Sequence, residues 1–458
     1  MAKQEITLQG LDGQVDELVL TTNGEATDVS LEDCARMLFP QEGEAVPRLR
    51  FKGFEGDWEK KKASELFITF NERNRPDLPV LSACQDIRGM AVRSESGYDI
   101  SHDRTNEVTY KVVKPGQFVI HLRSFQGGFA HSSVEGITSP AYTVFGFKEP
   151  EKHDDYFWKI IFMSKDFINR LKAITYGIRD GRSISFAEFA DMEFYFPSYD
   201  EQKRIATFFL RLDKQMAYYQ KQFDKLKQLK LSCLDSMFPQ QSGKVPTIRF
   251  MGYNGEWIET KLSKYATRIT RKNTNLETDL PLTISSSEGL IAQTAFFNNV
   301  VASTNMSGYY LLKKGEFAYN KSYSNGYPYG AVKKLEKYEQ GALSPLYIVF
   351  SLADSIDHDY AVYFFETDLW HNEVAKRAAE GARNHGLLNI GAEDFLDINI
   401  TLPADKREQE QIALFFRNLD SQILSQQQKL ERLKQIKTYC LNNLFINSII
   451  STPPQTEI

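Results

Sequence analysis

Catalysis needs particular side chains at particular spacings, and most such constellations are missing here. A phosphate-cradling loop would read Gly, four residues, then Gly-Lys-Ser/Thr, and no such string occurs, which argues against ATP-driven work. An amino-methyltransferase would carry a DPPY or NPPY element to grip an extruded base. The nearest string, NGYPYG at Asn325 to Gly330, lacks the Pro-Pro core. A metal-dependent nuclease needs clustered carboxylates and a lysine, but Pro76-Asp77 has no ExK in the thirty residues that follow. Of the seven histidines, His121 and His131 stand ten apart, yet a second copy of that segment carries Asn320 and Gly330 instead. No metal site is expected. The four cysteines, Cys34, Cys84, Cys233 and Cys440, show no CxxC spacing and are expected as free thiols in a reducing compartment.

What remains is chemistry of recognition. HLRSFQGG, His121 to Gly128, and NKSYSNGYPYG, Asn320 to Gly330, set cationic, amide, hydroxyl and aromatic side chains among glycines after a β-rich run. Arginine suits guanine, glutamine or asparagine suits adenine, and serine or tyrosine suits phosphate oxygens. The candidates are Arg123, Ser124 and Gln126 in the first segment and Lys321, Tyr323 and Asn325 in the second. A second pair of polar loops, GIRDGRS and GARNHG, adds Arg179, Arg182, Arg383 and Asn384. A solvated turn is the plain alternative for each.

These segments belong to an internal repeat. RFKGFEGDWE at Arg50 to Glu59 returns as RFMGYNGEWIE at Arg249 to Glu259, KPGQF around Gly116 as KKGEF around Gly315, and SPAYTVF from Ser139 as SPLYIVF from Ser344. EQKRIATFFLRLD from Glu201 is matched by EQEQIALFFRNLD from Glu408. One unit of about 200 residues is thus written twice. In each copy short β-rich runs among Gly, Asn and Ser turns predict a compact α/β or α+β domain. A stretch without Gly or Pro then follows Pro197 or Pro403.

That stretch has the period of a long helix. Ile205, Phe209, Leu212, Met216, Tyr219, Phe223 and Leu226 keep 4,3 spacing, as do Ile412, Phe416, Leu419, Ile423, Gln426, Leu430 and Leu433. Ile205, Phe209, Leu212 and Met216, with Ile412, Phe416, Leu419 and Ile423, are the expected helix-pair contacts. A lysine, Lys230 or Lys437, sits at one seam position of both, with Leu229 and Ile436 beside it suggesting a register shift. Helices of roughly 60 Å want a coiled-coil partner, and an antiparallel pairing of the two copies is the economical one. The fold class expected is α+β, with two similar α/β domains joined by two long antiparallel coiled-coil helices under a pseudo-two-fold repeat. The boundaries read as an acidic extension at 1–46, domains at 47–197 and 240–403, helices at 198–239 and 404–446, and a tail at 447–458.

Charge is unevenly spread. The net charge is -5, but residues 1 to 47 hold ten Asp/Glu against Lys3 and Arg36, which leaves the rest net positive. Such a balance permits a polyanionic partner without demanding one. No apolar run approaches the ~20 residues of a membrane span. The opening is polar where a secretory leader would be apolar, so a cytoplasmic location is expected.

The repeated RFxGFxGxW opening, the FPxxxEQxxIAxFFxxLD start of each long helix and the order domain, helix, domain, helix resemble the specificity subunit of type I restriction-modification enzymes, over about Pro47 to Phe445. The resemblance implies a non-catalytic subunit whose two domains each read one half of a split site in double-stranded DNA. It implies helices that act as a ruler and hold two modification subunits, with restriction subunits joining to cut. S-adenosylmethionine, ATP and Mg are then expected on the partners, and no cofactor on this chain. By the same resemblance Pro197, Glu201, Gln202, Ile205 and Asp213, with Pro403, Glu408, Gln409, Ile412 and Asp420, are structural or subunit-contact positions. The acidic opening departs from the family's short lead; Cys34 to Pro40 imitates the end of the first long helix, as a remnant or a regulatory segment. A coiled-coil scaffold with two peptide-binding or protein-binding domains is the other reading of the residues.

Overall fold

The computed structural model describes residues 2–9, 15–22, 49–84, 89–95, 104–121, 128–174, 184–240, 243–285, 289–296, 305–322, 327–378 and 388–443. Contacts divide the chain into two units, Met1–Gln220 with Gln428–Ile458, and Lys221–Gln427. Each holds one globular domain and parts of both long helices.

The first unit is built on a six-stranded sheet in the order Phe67–Phe70, Thr143–Phe147, Phe118–Ile120, Phe129–His131, Gly89–Val92, Leu81–Cys84. All neighbours are antiparallel except Gly89–Val92 beside Phe129–His131. The second unit has a four-stranded counterpart, Ala266–Arg268, Ile348–Leu352, Phe317–Asn320, Ala331–Lys334. In each, a hairpin (Phe118–Ile120 with Phe129–His131, or Phe317–Asn320 with Ala331–Lys334) lies against the longest strand of its sheet. The sheets are covered by aromatic cores. Phe67, Phe118, Phe129, Phe145, Trp158, Phe162 and Phe189 interlock in the first unit. In the second, Tyr319 stacks on Phe395 at 4.2 Å with Trp370 edge-on to Tyr319. Large rings bury much apolar surface per residue, which suits domains built from strands of only three to five residues.

The repeated opening forms a tight turn. Gly53 and Gly56 have φ of 98° and 83°, and Gly252 and Gly255 have 96° and 78°, a region in which a side chain is strained. Arg50 and Arg249 close these turns, each donating to the carbonyl of Gly56 or Gly255 at 2.6 Å.

The long helices run Tyr199–Met237 and Lys406–Asn443. In the first unit Leu212 and Leu433 share a core, Tyr219 faces Lys429 and Asp213 faces Lys437. In the second, Phe238 packs on Phe416 while Lys230 meets Asp420. As numbers rise along one helix they fall along the other, so within each unit the two segments run antiparallel. Ile205, Phe209, Leu212, Ile412, Phe416 and Leu419 are buried, whereas Met216 and Ile423 are half-buried. Leu229 is exposed and its counterpart Ile436 packs on the core, an asymmetry at the suspected register shift.

Part of the acidic opening, expected as an extension, is built into a sheet. Ala2–Gln9 and Val15–Thr22 form an antiparallel hairpin that pairs with Leu49–Phe51. The segment resembling a helix end, Cys34 to Pro40, lies outside the described residues. No described helix is long and apolar enough to cross a membrane.

Candidate nucleic-acid interface

The two polar loops proposed for each domain leave the fold at one place. In the second unit Leu388, which follows the GARNHG segment, donates its N–H to the carbonyl of Lys321 at 2.9 Å. The Lys321 ammonium reaches the carbonyl of Ile390 at 3.4 Å. Lys321 is therefore half-buried at the junction of the two loops, a placement that ties them together and limits its reach toward a ligand. The other arm of the hairpin is equally tight. A Cβ on Gly330 would come within 2.0 Å of the Asn320 carbonyl oxygen, so glycine is required there. Tyr319 donates to the carbonyl of Tyr329 at 2.7 Å, and Tyr329 lies against His371 with ring centres 5.0 Å apart. Burial, and then the nearby Glu366 carboxylate, push the Tyr327 phenol above its ordinary value despite the Lys230 charge.

The first unit repeats the arrangement. His121 donates its N–H to the carbonyl of Gly128 at 2.8 Å, closing the hairpin from which HLRSFQGG emerges. The Ile184 side chain, just after GIRDGRS, lies 3.8 Å from where a Gly128 Cβ would stand. Ser185 then starts a short helix through a reciprocal capping box with Glu188. Of the residues expected to face DNA, Lys321 is thus located at a loop base. Arg123, Ser124, Gln126, Arg179, Arg182, Tyr323, Asn325, Arg383 and Asn384 lie outside the described residues.

His131 has a partner of another kind. His131 is buried and contacts the Asp155 carboxylate at 2.5 Å, holding that carboxyl below its ordinary range. Among the described residues no three His, Cys, Asp or Glu side chains gather as a metal would require. Cys233 is half-buried, and burial raises its thiol above the ordinary value.

Residues repeated between the copies turn out to join each domain to the helices. Glu201 is held bidentately by Arg50 at 2.6 Å, and Glu408 by Arg249 at 2.7 and 2.8 Å. Gln202 accepts from the Asp154 N–H and donates to the Pro197 carbonyl; Gln409 does the same with Asp357 and Pro403. Asp213 receives the Tyr156 hydroxyl and the Lys437 ammonium. Asp420 receives the Tyr363 hydroxyl and the Lys230 ammonium, which also meets Glu366. Burial works against the Lys230 charge, but the Glu366 and Asp420 carboxylates more than reverse it and raise its pKa. The seam lysines are therefore cross-links between helices. The repeated Asp beside an apolar seam was the signal from which their partners could have been inferred.

No protein-family model matches the sequence, and no curated protein matches it. Solved structures do. A type I restriction-modification S subunit from M. genitalium is 12% identical, with 85% of this chain and 96% of that chain covered and a TM-score of 0.51. An HsdS subunit from Thermoanaerobacter tengcongensis is 15% identical over 84% of this chain and 95% of that one, with a TM-score of 0.42. A chain from a structure of type I R-M complex assembly and conformational transition is 14% identical, covering 84% and 96%, with a TM-score of 0.45. The likeness to the M. genitalium subunit establishes a shared fold.

Proposed function

We propose that this chain is the DNA sequence-recognition subunit of a type I restriction-modification complex, each domain reading one half of a bipartite target in duplex DNA. The observation that carries the reading is duplication with divergence. The same hairpin-and-loop base occurs twice on a shared framework, while the residues it presents differ: Leu-Arg-Ser-Phe-Gln in one copy and Lys-Ser-Tyr-Ser-Asn in the other. A framework kept constant beneath changing polar loops suits a protein that reads two different short sequences by direct contact with base edges. The two long helices, free of Gly and Pro, would set the separation of the half-sites and seat two modification subunits, with restriction subunits joining them. Methyl transfer and cleavage would fall to those partners, with S-adenosylmethionine, ATP and Mg bound there. Recognition is then the whole work of this chain.

The test is binding of the complex to DNA carrying its own target. The logarithm of the binding constant should fall linearly with the logarithm of salt concentration, as phosphate contacts release counterions. Changing Arg123 and Gln126 to Ala should relax one half-site and spare the other, at about 1 to 3 kcal/mol per lost bidentate contact. Binding indifferent to salt would favour the protein-binding scaffold instead, and unaltered selectivity at both halves would remove Arg123 and Gln126 from the site.

A further inference from the structure

Asp213 and Asp420 each join three elements. In the first unit the Oδ2 of Asp213, on the first long helix, accepts the hydroxyl of Tyr156, on the domain helix Asp155–Met163. Its Oδ1 accepts the Lys437 ammonium from the second long helix. In the second unit the division of labour is the same. Asp420 Oδ2 accepts Tyr363 at 3.0 Å, from the domain helix His358–Phe364, and Oδ1 meets Lys230 at 2.7 Å. The tyrosines occupy different places, second in one short helix and sixth in the other, yet both reach the same oxygen. The junction has been kept while the helix that supplies it has changed.

The two junctions differ in reserve. Lys230 has a second carboxylate, Glu366, at 2.8 Å. Two hundred and seven residues earlier, the offset of the repeated helices, stands Lys159, half-buried with its ammonium 5.0 Å from the Tyr156 ring centre. Among the described residues Asp213 is the one carboxylate reaching Lys437. Burial lowers the Lys159 pKa and the Lys437 charge adds to that, while the Asp213 and Asp155 carboxylates oppose it.

We propose that Asp213 and Asp420 are positioning residues that hold each recognition domain against both helices and thereby restrict the complex to one half-site spacing, Asp213 being the one whose lysine has no second carboxylate partner among the described residues. The inference rests on the reading of two half-sites given above. Without the Asp213 charge, Lys437 loses its carboxylate partner and the Tyr156 hydroxyl a charged acceptor, which loosens this part of the domain's seat while the Arg50 to Glu201 pair remains. Without the Asp420 charge, the Lys230 to Glu366 contact still ties the domain to the first long helix.

The test compares genomic methylation by complete complexes carrying the native chain, Asp213→Asn, Asp420→Asn or Lys437→Arg. Asp213→Asn should raise methylation at spacers about one base pair longer or shorter by about tenfold, with half-site sequences unchanged. Asp420→Asn should do so less, and Lys437→Arg should behave as native. A folded Asp213→Asn complex confined to the native spacer, or one with altered half-site sequences, would overturn the proposal. Should that variant not fold, Tyr156→Phe, which keeps the ion pair and frees the domain, carries the same prediction. Hydrogen exchange of the isolated chain separates the two layers of the argument. Faster exchange in Asp155–Met163 of Asp213→Asn supports the junction even if no bipartite methylation is found, in which case the recognition reading fails; unchanged exchange contradicts the junction.

Discussion

Glu201 is 1% exposed and its carboxylate is spent entirely on Arg50, 151 residues away in sequence. The repetition of an EQ pair was visible in the sequence; its partner was not, because nothing local connects a helix start to a turn so distant. Removing one member of such a pair strands the other, so Glu201→Ala should destabilise the protein by about 3 to 5 kcal/mol in denaturant titrations. Arg50→Met combined with Glu201→Leu should recover most of that loss, since no buried charge is left without its counter-ion. Glu373 sets a second expectation. Burial alone would raise its pKa, but hydrogen bonds from Lys376, the Asn399 N–H and Arg377 outweigh it and bring it down to about 2. A carboxylate depressed in the folded state lends stability that is present above its unfolded value and lost as pH falls. The native protein should therefore lose stability between about pH 4.5 and 2, and Glu373→Gln should flatten that part of the titration. An equal acid slope in both proteins would place the acid-sensitive group elsewhere.

The long helices were the most legible elements. Heptad spacing and the absence of Gly and Pro placed them at 198–239 and 404–446, and they occupy Tyr199–Met237 and Lys406–Asn443. Periodicity is a local property, so a single sequence displays it. The N-terminal hairpin is bracketed by Asp12-Gly13 and Asn23-Gly24, ordinary turn residues, but its pairing with Leu49–Phe51 spans a long acidic stretch, and no local pattern displays it. The two hairpins were legible as β-rich runs leading into polar loops, but the meeting of Lys321 with Leu388 was not, since residues 67 apart in sequence share no pattern. The seam itself is uneven: Leu212 and Leu433 are buried, while buried amide atoms of Gln215 and Gln426 lack partners among the described residues. Leu212→Asp places a charge into the apolar part and should cost several kcal/mol. The expected result is loss of modification subunits on co-purification; a full complex at native yield would locate the working seam elsewhere.

At the scale of the whole molecule, the repeated order of domain and helix was readable because each copy served as an alignment for the other. The bases it would read were not, because loop chemistry constrains residue type without revealing a target. On the proposed function, the helices measure the distance between two half-sites. The most direct measurement is genomic methylation mapping with four residues inserted near the exposed Asp224, close to one helical turn, so that the apolar face is roughly preserved. Such an insertion lengthens one helix by about 6 Å, against an advance of about 3.4 Å per base pair of duplex. The account predicts unchanged half-sites separated by a spacer about one or two base pairs longer. A folded, active variant that keeps the native spacing would contradict it.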